Sequence, residues 1–216
     1  MNIIILGPQG SGKGTQAELL AKKYGLEHID VGRFLREVAA METGLGKEVY
    51  EIINVRKELV PDHILEKILQ LKLNDIDREQ GVILDGMPRN LEQAGFLEKI
   101  FQSFGKKIEK VFFLDVSEEE SIKRISKRWI CAKCKAQFIM GKDIRNAREK
   151  CAKCGGGLEQ RIDDTPEGIR KRLEVFRKET IPVLDYYKEK GMLVKIDGAQ
   201  PIEKALEEIT RQIEKI

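Results

Sequence analysis

A glycine-rich stretch near the start of the chain, GPQGSGKGT at residues 7–15, directly follows the apolar run Asn2–Leu6. The run predicts a buried strand, and the apolar spacing within Lys13–Tyr24 predicts a helix immediately after the glycines. Glycines let the backbone curl so that amide N–H groups point inward, and the helix N-terminus adds partial positive charge. Lys13 brings a full charge for outer phosphates. The segment therefore predicts a phosphate-binding loop whose contacts are Gly10, Ser11, Gly12, Lys13, Gly14 and Thr15.

One position departs from the common form of such loops. Gly14 follows the lysine, and the first hydroxyl comes one residue later, at Thr15. The direct magnesium ligand usually found right after the lysine is therefore missing. We expect magnesium to be held mainly by phosphate and water, with Asp85 at the end of a later strand as an outer-shell anchor.

Apolar runs alternate with helical patterns along the rest of the chain, which predicts parallel strand pairing and an α/β layer fold. The helical patterns cover 32–41, 45–58, 62–73, 90–104, 117–128, 166–190 and 201–215. The predicted strands are Asn2–Leu6, Glu27–Asp30, Gly81–Asp85, Lys110–Val116 and Met192–Asp197. Residues 31–60, which are helical without a strand, and residues 129–163, which are rich in Cys, Lys and Gly, break the alternation and are candidate insertions.

Charge and hydropathy narrow the range of partners. The chain has 216 residues and a net charge of +3, so its charge alone does not indicate a nucleic-acid or membrane surface. No apolar run approaches the ~20 residues that span a bilayer, and the first run is too short for a signal peptide. We therefore expect a cytoplasmic protein without a membrane partner.

All four cysteines form two CxxC pairs separated by sixteen residues, Cys131/Cys134 and Cys151/Cys154. Such spacing predicts a tetrahedral zinc site, and four sulfur ligands leave no open position for catalysis. Two disulfides, four free thiols, or iron in place of zinc remain alternatives. A metal crosslink would hold together a region too small to build its own core.

Four motifs in order carry a family resemblance: GPQGSGKGTQA, DGMPRNLEQA, RWICAKC and QRIDDTPEGIRKRL. Over essentially its full length, the chain resembles adenylate kinases of the zinc-binding, long-lid type. The resemblance implies a P-loop α/β fold with a five-stranded parallel sheet. It implies a core of residues 1–30, 61–127 and 165–216, a nucleoside-monophosphate-binding insertion at 31–60, and a zinc-binding lid at 128–164.

The same resemblance implies a reversible, magnesium-dependent transfer of a phosphoryl group from ATP to AMP, giving two ADP, by a monomer with no nucleic-acid partner. The AMP phosphate is already anionic near neutral pH, so such an enzyme needs cations rather than a protein base. The implied catalytic groups are Lys13, Asp85, Arg89, Arg128, Arg161 and Arg172.

The resemblance also assigns the two nucleotide sites. The ATP side adds Arg124, Arg128, Gln137, Phe138 and Gln200 to the glycine loop. The AMP side comprises Val31, Arg36, Glu58, Leu59, Val60, Gly86, Met87, Pro88, Arg89 and Gln93, with Arg161 and Arg172 lying between the nucleotides.

Two residues depart from the family pattern on the acceptor side. Val31 stands where Thr is usual, and Arg33 stands where Asp is usual. A kinase for UMP or CMP therefore remains an alternative. A nucleic-acid-associated ATPase that combines a P-loop with a zinc ribbon is a second one, although the near-neutral charge and the arginine motifs favour the kinase.

Overall fold

The computed structural model describes residues 1–56, 58, 60–161 and 164–215. Within these residues the strands are β1 (Asn2–Leu6), β2 (Glu27–Asp30), β3 (Val82–Asp85), β4 (Lys110–Asp115), β5 (Arg128–Cys131), β6 (Gln137–Ile139), β7 (Leu158–Glu159) and β8 (Leu193–Asp197). Five of them form one sheet in the order β2-β3-β1-β4-β8, and every pairing in it is parallel. The predicted α/β class and five-stranded parallel sheet are confirmed.

The middle strand explains why this sheet is buried on both faces. Every residue of β1, Asn-Ile-Ile-Ile-Leu, is buried. Its alternate residues enter two separate apolar clusters, Ile4 and Leu6 in one and Ile3 and Ile5 in the other. Continuous apolar runs of this kind are typical of parallel strands covered by helices on both sides.

The described helices are α1 (Lys13–Tyr24), α2 (Val31–Ala39), α3 (Gly44–Tyr50), α4 (Asp62–Asn74), α5 (Leu91–Ser103), α6 (Glu118–Ser126), α7 (Pro166–Val175), α8 (Ile181–Glu189) and α9 (Ile202–Ile213). Each predicted helical pattern overlaps at least one of them, although α2 and α3 begin one residue earlier, and α4 ends one residue later, than predicted. No helix of the described residues has the length and apolar character needed to cross a membrane.

Two predicted helices are interrupted. The pattern at 45–58 continues after α3 as a π-helical segment, Glu51–Arg56. The pattern at 166–190 is divided by a second π-helical segment, Phe176–Thr180, between α7 and α8. Pro182 lies in the first turn of α8 and lacks the N–H that an unbroken α-helix would use, which explains a break at this place.

The cysteine-rich region folds into a separate three-stranded antiparallel sheet, in the order β6-β5-β7. Its small core contains Cys131, Cys151, Phe138 and Ile144, and Trp129 packs against it. The strands β6 and β7 have only three and two residues, which is too short for the alternating pattern that reveals a strand in a sequence. The four residues of β5, Arg-Trp-Ile-Cys, do not alternate strictly between polar and apolar.

Candidate active site

The glycine loop connects the carboxyl end of β1 to the first turn of α1. Gly10 and Gly12 have φ angles of 79° and 90°, a left-handed backbone that glycine adopts without strain. A Cβ on Gly7 would lie 2.5 Å from Ser11 Oγ and 2.8 Å from the Leu114 carbonyl oxygen, so there is no room for a side chain there. No acidic residue occupies the first turn of α1. The helix N-terminus therefore presents its N–H groups to an anion without a competing carboxylate.

The ammonium group of Lys13 curls back over this loop and donates to the Pro8 carbonyl oxygen at 3.2 Å. Burial lowers its pKa; Asp85 opposes that effect, whereas Arg89 and Arg128 add to it. A bound phosphate would favour the charged ammonium, so the site is electrostatically prepared for a polyanion. The neighbouring predicted contact Ser11 is buried, and Thr15 is exposed.

The carboxylate of Asp85 ends β3 beside the loop. Asp85 is only 4% exposed, and its Oδ1 has no hydrogen-bond partner in the described structure. Its Oδ2 lies 3.6 Å from His28 Nε2, and a Cβ on Gly14 would come within 3.2 Å of it. This close approach explains why glycine, and not a residue with a hydroxyl group, follows Lys13: a side chain at position 14 would crowd the carboxylate of Asp85. An unsatisfied buried carboxylate oxygen suits a magnesium-bound water.

Arg89 follows the cis peptide bond between Met87 and Pro88. Its Nε donates to the Gly86 carbonyl oxygen at 2.9 Å, and its own carbonyl accepts from Thr180 Oγ1. Burial lowers the pKa of Arg89, with smaller opposing contributions from Asp30 and Asp85. These bonds hold Arg89 in place at the carboxyl end of β3, near Lys13.

A cavity of about 40 Å³ adjoins Arg89, between α2, α4 and the loop after β3. Of the residues predicted for AMP, its walls contain Val31, Glu58, Val60, Gly86, Met87, Arg89 and Gln93. Pro88 and Arg36 are not part of its lining; Arg36 is exposed on α2, with its guanidinium group near Gly32. Leu59 lies outside the described residues. Sequence reasoning missed three apolar wall residues, Leu35, Ile53 and Leu65.

Arg128 and Arg172 share one carboxylate. Arg128 donates to both oxygens of Asp164, at 2.8 and 2.6 Å, and Arg172 donates to Oδ1 at 2.8 Å. The Asp164 side chain is 1% exposed. Arg161 lies close enough to Arg89 and Arg128 to lower the pKa of each, by a smaller contribution than burial. Asp163 lies outside the described residues.

On the other side of the loop, Arg124 joins three segments of the chain. Its Nη1 donates to the Gly198 carbonyl oxygen at 2.9 Å and to that of Gly10 at 3.4 Å, while its Nε donates to Glu120 Oε1 at 2.7 Å. The Gln200 side chain donates to Glu208. This side of the loop is therefore bounded by main chain from the segment after β8.

The two remaining residues predicted for ATP lie on β6, in the three-stranded sheet of the cysteine-rich region. Gln137 is exposed, whereas Phe138 is buried in the small core beside the cysteines.

The four cysteine sulfurs all lie within 4.8 Å of one another. The sulfurs of Cys131 and Cys154 are 3.4 Å apart, and those of Cys134 and Cys151 are 3.5 Å apart. A disulfide bond measures about 2.05 Å, so these are free thiols. Tetrahedral ligands at about 2.3 Å from zinc would be ~3.8 Å apart, which this cluster can match.

Titration of the thiols also fits a cation in this cluster. The Cys134 and Lys133 N–H groups donate to Cys131 Sγ, and the first of these bonds contributes most to lowering the pKa of Cys131 to about 6. The Ala136 N–H likewise favours the thiolate of Cys134. The neighbouring sulfurs and burial outweigh it and raise the pKa of Cys134 to about 12. The sulfurs are too close to be anionic together unless a cation neutralises them.

Comparison with known proteins gives one consistent family. The family model described as adenylate kinase matches residues 5–192. An adenylate kinase from Archaeoglobus fulgidus is 44% identical over 216 residues, covering 100% of this chain and 99% of the relative. Adenylate kinases from Kosmotoga olearia and Caldicellulosiruptor bescii are 42% and 41% identical, covering 100% and 99% of each chain.

Proposed function

The chain belongs to the adenylate kinase family and is an ATP:AMP phosphotransferase, and we propose that the loop and cavity described above are its two nucleotide sites. The observation that carries this assignment is the meeting of Lys13, Asp85 and Arg89 at one edge of the parallel sheet. Ligands of open α/β sheets bind outside the carboxyl ends of the strands. The P-loop/zinc-ribbon ATPase and a UMP or CMP kinase are not favoured by the relatives.

The base of the acceptor AMP would enter the cavity beside Arg89, which at about 40 Å³ is smaller than a purine and would have to widen as residues 31–60 move outward. Its apolar walls suit a base, and Gln93 brings an amide to that wall. Arg89 and Arg36 would hold the phosphate, because planar guanidinium groups bind phosphate oxygens in pairs. The main chain of Glu58, of Val60 and of residues 86–88 would complete the site.

The donor ATP would place its phosphates on Gly10–Thr15 and its adenosine near Arg124 and Gln200. Bound magnesium, which adenylate kinases use with ATP, would supply positive charge between the phosphates, with Asp85 holding its water. Arg128, Arg161 and Arg172 would then neutralise the group in transfer. Positioning and charge stabilisation account for most catalysis of phosphoryl transfer.

We further propose that residues 31–60 and 128–164 are the two mobile flaps of the enzyme and that structural zinc holds the second one rigid. The four-thiol cluster fits zinc in ligand type and separation. Closure of such a flap would exclude water, which would otherwise accept the phosphoryl group. A cytoplasmic monomer that acts on ATP, AMP and ADP, without nucleic acid or membrane, completes the proposal.

A coupled assay tests the proposal most directly. With magnesium and ATP present, we expect AMP to be phosphorylated far faster than GMP, CMP or UMP. Arg89→Ala should lower kcat/KM for AMP by about 100-fold or more while the circular dichroism spectrum stays native. Near-normal turnover by a folded Arg89→Ala variant would remove this residue from the site, and preference for UMP or CMP would overturn the acceptor assignment.

A further inference from the structure

The side chain of Gln93, which is 1% exposed, is held at both ends of its amide. Its Oε1 accepts from the main-chain N–H of Arg89 at 2.8 Å. Its Nε2 donates to Oδ1 of Asp62, in the first turn of α4, at 2.9 Å. Asp62 is 31 positions away along the chain and is absent from the cavity lining.

These two partners leave the amide only one orientation. An ionised carboxylate only accepts hydrogen bonds, and a main-chain N–H only donates them. A flipped amide would set its oxygen against Asp62 and its NH₂ group against the Arg89 N–H, so both bonds would be lost. Asp62 and the Arg89 main chain therefore decide which end of Gln93 carries the oxygen.

We propose that Asp62 is a specificity-determining positioning residue that makes Gln93 select a 6-amino purine over a 6-oxo purine. The inference rests on the proposed function, since it needs the acceptor base to enter the cavity that Gln93 lines. After its two protein bonds, the Gln93 amide keeps one N–H and one oxygen lone pair for a ligand. Once the amide is fixed, the positions of this donor and acceptor are fixed as well.

The two purine classes present opposite patterns to such an amide. Adenine carries an amino donor at C6 beside the acceptor N1, whereas hypoxanthine carries an oxygen acceptor at C6 beside a donor N1–H. Adenine seated against the fixed amide would therefore pair donor with acceptor at both positions. Hypoxanthine in the same seat would place an acceptor against the Gln93 oxygen and a donor against its N–H group. Rejection by unpaired polar groups is much stronger than rejection by a small difference in size.

AMP and IMP differ only at this edge, so their kcat/KM ratio is the readout. We expect the unmodified enzyme to prefer AMP strongly. Asp62→Leu removes the acceptor with little change in size and should lower the AMP:IMP ratio by about tenfold or more, mainly through the KM for AMP. Asp62→Asn keeps an oxygen that can accept from Nε2, so it should retain the ratio within about threefold.

Glu66→Leu is the matched control, because it removes a carboxylate one turn further along the same helix and should leave the ratio unchanged. If Asp62→Leu does not fold, Asp62→Ala removes the same acceptor with a smaller side chain. An unchanged ratio in a folded Asp62→Leu or Asp62→Ala variant, or no preference in the unmodified enzyme, overturns this inference. Failure to phosphorylate AMP at all would instead overturn the proposed function.

Discussion

The ammonium group of Lys13 is partly buried close to two arginines, and its pKa is lowered mainly by that burial. Without a bound phosphate, the charged form is therefore less favourable in the folded protein than in the unfolded chain. The unfolded chain binds more protons between the lowered pKa and the ordinary lysine value of about 10.4, so this residue makes stability rise with pH across that interval.

Replacing Lys13 by an apolar residue should stabilise the nucleotide-free protein. We expect Lys13→Met to raise the free energy of unfolding of the nucleotide-free protein at pH 7 by about 1 kcal/mol, since an apolar isostere removes the cost of a buried charge. Its stability should also gain less between pH 7 and 10. Denaturant titrations measure both effects, with Lys22→Met on the exposed face of α1 as control. A Lys13→Met protein less stable than the parent at pH 7 would contradict the argument.

The carboxylate of Asp164 accepts hydrogen bonds from both Arg128 and Arg172. Its side chain is almost fully buried between Arg128 and Arg172. Asp164→Ala should cost about 3 kcal/mol, because it leaves two guanidinium groups without their shared carboxylate. Thermal unfolding in the absence of nucleotide measures the loss, and Asp185→Ala on α8 provides an exposed comparison. Equal melting temperatures for the two variants would contradict this expected cost.

The sequence pointed to the polar groups that meet at the candidate site, but not to the apolar wall of its cavity. Lys13, Asp85 and Arg89 stand in motifs whose residue types have few purely structural uses at that spacing. Leu35, Ile53 and Leu65 could not be recognised, because an apolar residue that lines a cavity has the same helical spacing as one in the core. The bond between Asp62 and Gln93 joins positions that no local pattern connects.

At the scale of elements, local sequence predicted the five-stranded parallel sheet but not the antiparallel sheet β6-β5-β7. The five predicted strand segments are separated by helical patterns, so their parallel pairing follows from general rules. The lid sheet has a small core in which two of the buried residues are cysteines. With so little apolar area, this sheet is expected to need the metal crosslink proposed above, which the sequence indicates only through the CxxC spacing.

Removing the metal should therefore loosen the lid before the central sheet. After chelation, we expect faster amide hydrogen exchange across residues 128–159 and a lower melting temperature, while exchange in β1 stays slow. Mass spectrometry resolves these segments, and elemental analysis gives the zinc content. Undiminished protection of the lid in protein verified to be metal-free would count against a structural metal.

At the scale of the whole molecule, an exposed ion pair joins the cysteine-rich region to α1. Lys153 Nζ, in the second cysteine loop, lies 3.2 Å from Glu18 Oε1 on α1, and the two side chains are 61% and 68% exposed. Exposed pairs contribute between about 0 and 1 kcal/mol, too little to keep a flap closed. They can nevertheless bias an equilibrium between open and closed forms by a small factor.

We expect Glu18→Gln to raise kcat by up to about twofold at low salt if lid opening limits turnover, and to leave the melting temperature unchanged. The difference should vanish near 1 M salt, where charges are screened over ~3 Å. Lys150→Gln, which removes another exposed lid lysine, is the control. A kcat gain that persists in high salt would show that the effect does not come from this pair.

Trp129, the sole tryptophan of the chain, lies on β5 against the cysteine cluster. Its indole fluorescence therefore originates in the lid alone, and nucleotide-driven changes in its emission need no attached dye to be assigned to that part of the molecule. Rapid-mixing fluorimetry on the unmodified enzyme can therefore test the proposed movement of residues 128–164 in real time, against a background free of other indoles.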